Sequence, residues 1–137
     1  MKQVLKLIII VLICIPVFAH SQTNNNYITV GYSSICCGPP SEKPITDFVK
    51  NFEEENKLKP FEIFIEGGLG KEGEYAFHVG TDNLDVKLLE SFWNGIKVVV
   101  SNQNKQRSEH HDGYVNLDDK LTTNSTMKSK KLQLIKL

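Results

Sequence analysis

Two runs of strict alternation constrain the fold of this chain more than any other feature. In Phe61–Glu66, the side chains of Phe61, Ile63 and Ile65 point one way and those of Glu62, Phe64 and Glu66 the other. In Glu74–Val79, Tyr75, Phe77 and Val79 alternate with Glu74, Ala76 and His78. Side chains alternate across a strand with a period of two, so each run reads as a half-buried strand. Between them lies Gly67-Gly68-Leu69-Gly70-Lys71-Glu72-Gly73, and two alternating runs joined by a glycine-rich loop make a β-hairpin. Gly68, Gly70 and Gly73 also spell G-x-G-x-x-G. A dinucleotide site needs a helix after the third glycine, whereas here a strand follows. The glycines are therefore read as turn residues that supply positive φ.

The hairpin is flanked by two stretches of helical period. Tyr27–Ile35, rich in β-branched and aromatic residues, reads as a strand that Pro39-Pro40 cannot continue. Pro44 then suits a first helical turn, and Ile45, Phe48, Val49 and Phe52 follow at i, i+3, i+4, i+7. That helix is expected to run to about Lys57, with Pro60 stopping it. After the hairpin, Asp82 is the expected N-cap of a second helix carrying Leu84, Leu88, Leu89, Phe92, Trp93 and Ile96. Asn94-Gly95 offers an earlier end and Ile96–Val100 is also a good strand, but the apolar stripe favours helix to Val100. Asn102–Gly113 reads as polar loop, Tyr114–Leu117 as a short strand and Thr122–Ser129 as loose chain. Leu132–Leu137 reads as a last strand or an exposed tail. The order strand, helix, hairpin, helix, strand predicts an α+β fold: a ferredoxin-like (split β-α-β) antiparallel sheet with two helices on one face and a low-order C-terminal tail. It leaves the face carrying Phe64, Ala76 and His78 open, a surface suited to homodimer formation.

The first residues stand apart from this pattern. Lys2 and Lys6 precede an apolar run from Leu7 to Phe18, and Ala19-His20-Ser21 supplies small residues at two positions. This is the order of a secretory signal peptide, with cleavage expected near Ser21, and the run is short for a membrane span. The expected organisation is a leader at 1–21, one α+β domain at 22–119 and a basic tail at 120–137. The expected location is periplasmic or extracellular, with no membrane span after cleavage. The balance of 16 basic and 16 acidic residues over 137 gives no basic excess of the kind nucleic-acid binders show. That balance conceals an asymmetry: residues 42–119 carry a net charge of −7 and residues 120–137 a net charge of +5.

Removal of the leader also discards Cys14 and leaves two adjacent cysteines, Cys36 and Cys37, in the loop between the first strand and the first helix. Exported proteins use cysteine mainly for disulfides. Adjacent cysteines pair only with strain, so a ring, two thiols, a link to another chain and a soft-metal site all stay open. The place of the pair resembles that of the metal thiols in heavy-metal-associated domains, which share the ferredoxin-like fold. Those domains carry Cys-x-x-Cys, and here no residue intervenes. The resemblance implies copper or zinc on Cys36 and Cys37, and His110 and His111 of the His110-His111-Asp112 run are candidate additional ligands. A nucleophile pair of Cys37 and His78 is a further option, but no third group or oxyanion donor accompanies it.

These observations predict a small exported, non-enzymatic binding or interaction module for a protein or small ligand. A copper- or zinc-binding protein and a thiol-dependent redox protein are the alternatives.

Overall fold

The computed structural model describes residues 26–108 and 113–137. The expected leader, and the candidate ligands His110 and His111, lie outside these residues. The described chain is α+β. Its elements are β1 (Asn26–Ser33), α1 (Lys43–Asn56), β2 (Ile63–Gly67), β3 (Tyr75–Gly80), α2 (Val86–Gln106), β4 (Tyr114–Leu117), β5 (Thr122–Thr123), α3 (Asn124–Met127) and β6 (Leu132–Ile135). The strands form one antiparallel sheet in the order β4-β1-β3-β2-β6, with β5 also paired to β1.

The register sorts the side chains onto two faces as the alternation requires. Ile28, Val30 and Tyr32 stand opposite Val79, Phe77 and Tyr75, and Ile63 stands opposite Val79. This face joins Ile45, Val49 and Phe52 of α1 and Phe92, Ile96 and Val100 of α2 in one buried cluster. Phe92 is fully buried, with its ring centroid 5.5 Å from Phe48, 4.9 Å from Phe52 and 4.8 Å from Phe61. The hairpin loop turns on Gly68 and Gly73, at φ of 73° and 83°. Glycine adopts this region without strain, so the reading holds for those two, whereas Gly70 is not at positive φ and instead lies where a Cβ would overlap the Glu74 carboxylate.

The second helix departs from expectation at both ends. Its N-cap is Asp85, whose Oδ1 accepts from the Leu88 backbone N–H at 2.9 Å, while Asp82 accepts from Asn26 N. The helix runs six residues past Val100, through a stretch expected to be loop, because its polar side chains find backbone partners. Asn104 Nδ2 donates to the Val115 carbonyl at 2.7 Å, and its Oδ1 accepts from Val115 N at 2.9 Å, closing the outer edge of β4. Gln103 Nε2 donates to the Ser41 carbonyl at 2.8 Å. Gly95 does not end the helix. A Cβ there would overlap the Phe48 ring, so this glycine permits close packing between α1 and α2.

The expected low-order tail is a correction of larger consequence. β5 pairs with the outer edge of β1 and β6 with the outer edge of β2. The chain between them therefore crosses the sheet face opposite the helices, with Met127 buried against it. Ala76 and His78 are 4% and 1% exposed, so the face expected to be open is covered by the protein's own chain there. Hydrophobic pattern alone did not reveal this strap, because its anchors are polar groups and a single methionine.

Phe92→Ala is expected to lower unfolding stability by about 3–5 kcal/mol, the usual cost of removing a fully buried aromatic ring. Urea denaturation of the two proteins measures it.

Candidate functional site

Two groups of polar side chains merit chemical scrutiny. One is buried beneath the strap and the other lies around Cys36 and Cys37.

The buried group begins with Thr29 and His78, which face each other across β1 and β3. Thr29 Oγ1 lies 2.9 Å from His78 Nδ1, and Glu66 Oε2 lies 3.2 Å from His78 Nε2. Thr122 Oγ1 lies 2.7 Å from Thr29 Oγ1, and Lys130 Nζ donates to Glu66 Oε2 at 2.6 Å. The neutral imidazole protonated on Nε2 satisfies the whole chain: Thr122 donates to Thr29, Thr29 to Nδ1, and Nε2–H to Glu66. Burial holds the His78 imidazole below its ordinary range, and the Lys130 charge works the same way, against the opposing pull of Glu66 and Asp118. Burial alone would raise the Glu66 carboxyl, but hydrogen bonds and charge from Lys130 and His78 outweigh it and hold that group low.

Hydroxyl, imidazole and carboxylate in sequence resemble the parts of a nucleophile–base–orienter triad. Thr29 is only 8% exposed and His78 only 1%, so no substrate reaches either without lifting the strap. The group is a fastening: Thr122 and Lys130 tie the crossing chain to the sheet. Sequence reasoning placed His78 on this face but missed Glu66, Thr29, Thr122 and Lys130 as its companions. The signal available was two polar side chains, Thr29 and His78, among the outward positions of otherwise apolar strands.

The cysteines sit on an exposed loop held at several points. Gly38, at φ 99°, turns the chain directly after them, and its N–H donates to Ser34 Oγ at 3.1 Å. Tyr75 Oη donates to the Pro40 carbonyl at 3.2 Å, and Gln103 holds Ser41. Gly113 is packed so closely on the Ser33 carbonyl that a Cβ would overlap it. Cys36 Sγ and Cys37 Sγ are 2.6 Å apart and are not joined as a disulfide. Beside the loop opens a cleft of about 410 Å³, lined by Cys37, Pro39, Pro40, Gln103, Arg107 and Gly113 among others. Such a volume is in the range of small-molecule sites. Two of those residues each hold one buried polar atom without a hydrogen-bond partner, Gln103 Oε1 and Arg107 Nη1. Gln103, Arg107 and Gly113 went unnoticed in the sequence, since each lies in a stretch read as polar loop.

Among the described residues, no group of three or more His, Cys, Asp or Glu is arranged to hold a metal ion. His78 is buried beneath the strap, with its two ring nitrogens at Thr29 and Glu66. No helix among the described residues is long and apolar enough to cross a membrane. No known family, curated protein or solved structure matches the chain.

The His78 shift has a pH consequence with a definite sign. Its folded-state value is depressed, so its contribution to stability is complete above the unfolded value of about 6.5 and is lost as pH falls below it. Glu66, also depressed, adds a second loss below its ordinary value of 4.5. Denaturant midpoints are expected to fall between pH 7 and 5 in the native protein and to fall less in His78→Gln. The His78 ring protons, followed by NMR, are expected to titrate below pH 6.5.

Proposed function

We propose that the protein is a small exported, non-enzymatic binding module, built on a ferredoxin-like split β-α-β unit whose sheet is extended by the C-terminal strap. The antiparallel order β4-β1-β3-β2, with a helix following β1 and another following β3, supports that arrangement. The leader pattern of residues 1–21 supports export to the periplasm or beyond.

One observation carries the binding reading. The constellation that could act as a catalytic base is sealed under the strap, while Gln103 and Arg107, which line the cleft beside the Cys36–Cys37 loop, each hold a buried polar atom without a partner. Unpaired buried polar atoms are costly, and a ligand that satisfies them recovers that cost. A small ligand in this cleft is favoured over homodimer formation through the sheet, because Ala76 and His78 are already covered. A panel of small amino acids, carboxylates and peptides, screened by NMR against isotope-labelled reduced protein, tests the reading. Binders are expected to shift the amides of Gly38, Gln103 and Gly113. Binding confined to other surfaces, or turnover of chromogenic esters or phosphoesters, overturns it.

Soft-metal binding by Cys36 and Cys37, with His110 and His111 as the additional ligands the sequence offers, is the second reading, and the proximity of the two sulfurs favours it. Two thiolates on one tetrahedral zinc lie roughly 3.7 Å apart at a Zn–S distance of about 2.3 Å. The sulfurs, 2.6 Å apart, must separate to bind one ion together. Elemental analysis of reduced protein equilibrated with zinc or Cu(I) is expected to find one equivalent, lost in the Cys36→Ser/Cys37→Ser variant. No uptake, or uptake unchanged in that variant, removes this reading.

A further inference from the structure

We infer that the cleft beside the cysteine loop captures a small disulfide of cysteine-derived type that carries a free carboxylate, through thiol–disulfide exchange at Cys37. The inference rests on the binding-module reading and names the ligand class of that site.

Three groups in one cleft define the ligand. Arg107 lines the cleft, and its Nη1 is buried without a hydrogen-bond partner. A guanidinium in this setting is satisfied best by a carboxylate, which accepts charge-assisted hydrogen bonds. Gln103 has its Nε2 committed to the Ser41 carbonyl, which fixes the amide and leaves Oε1 to accept from a ligand N–H. Cys37 lines the same cleft, whereas Cys36 is absent from its lining. Carboxylate, N–H donor and sulfur on one small molecule are the functional groups of a cysteine derivative or a short cysteine peptide.

The chemistry balances with that ligand alone. The Cys37 thiol gives up its proton, and its sulfur attacks one sulfur of the ligand RS–SR. A Cys37–S–SR bond forms, the ligand S–S bond breaks, and the departing thiolate takes up the proton to leave as RSH. The Cys36 sulfur, 2.6 Å from that of Cys37, is placed to attack in turn. That second step would form a Cys36–Cys37 bond and release the remaining RSH. Adjacent Cα atoms are about 3.8 Å apart across a trans peptide, shorter than the usual 4.4–6.8 Å of a disulfide, so this ring is strained and readily reopened by a thiol. The pair is therefore suited to reversible capture rather than to a permanent cross-link.

The experiment follows adduct formation by intact mass and peptide mapping in the reduced protein carrying Cys36→Ser, which isolates the first step. The probes are oxidised glutathione, which has carboxylates, and hydroxyethyl disulfide, which has none. Oxidised glutathione is expected to modify Cys37. Arg107→Gln in the same background is expected to slow that reaction about tenfold or more, the worth of a charge-assisted hydrogen bond, while leaving the hydroxyethyl disulfide rate unchanged. The unchanged control rate also reports an intact loop. An unaltered glutathione rate in Arg107→Gln, equal slowing of both probes, or an adduct that maps elsewhere than Cys37 overturns the inference. If exchange fails while other small carboxylates still shift Gly38, Gln103 and Gly113, the binding-module reading survives and only the ligand class is wrong. Failure of both removes both.

Discussion

Burial of one sheet face under two helices is the constraint on which everything else in this protein depends, and Phe92 is its centre. The ring touches Phe48 and Phe52 from α1 and Phe61 just ahead of β2, so a single side chain links both helices to the start of the hairpin. Aromatic pairs at these separations add to the large apolar area that each ring buries. Gly95 belongs to the same contact, since its missing Cβ is the space that the Phe48 ring uses. With α2 held there, its polar C-terminal turns reach β4 and the cysteine loop. The candidate cleft is a consequence of how the core is packed.

The opposite face is closed by different physics. Its outward positions include Thr29, His78 and Glu66, which an apolar cover would leave unsatisfied at high cost. The strap supplies a hydroxyl from Thr122 and an ammonium from Lys130, and the group becomes a completed hydrogen-bond chain. The positive charge of the C-terminal segment thus has one specific use, on Glu66 of the acidic body. The same sealing takes His78 away from chemistry, whereas Cys36 and Cys37 stay exposed.

Much of the fold was legible because the signals were periodic. The alternation of Phe61–Glu66 and Glu74–Val79 marks the hairpin and the side each residue faces, and Ile45, Val49 and Phe52 mark the buried stripe of α1. Signals that were not periodic failed. Asp82 and Asp85 are equally good caps by type, and only the approach of the Leu88 N–H distinguishes them. Ser101–Gln106 has no apolar stripe, and its helix persists because Asn104 and Gln103 bond to the backbone of distant segments. Of the candidate site, Cys36 and Cys37 were evident as an adjacent pair. The rest of the cleft was not, because Gln103, Arg107 and Gly113 look like ordinary polar-loop residues until the fold sets them beside Cys37.

Taken by itself, the chain determined strands β1 to β4, the body of its two main helices, which of their residues face the core between sheet and helices, and the presence of a thiol pair in the loop after the first strand. Each follows from local pattern, since period and side-chain type act over a few neighbours. Only the tertiary structure decided that the C-terminal segment crosses the sheet, that His78 is buried in a satisfied network, and that Cys37 borders a cleft together with Gln103 and Arg107. Those outcomes depend on contacts between residues separated by tens of positions, Lys130 with Glu66 and Gln103 with Ser41 among them. Their energies arise from desolvation and hydrogen bonding between the two segments, so neither segment's own sequence carries the information.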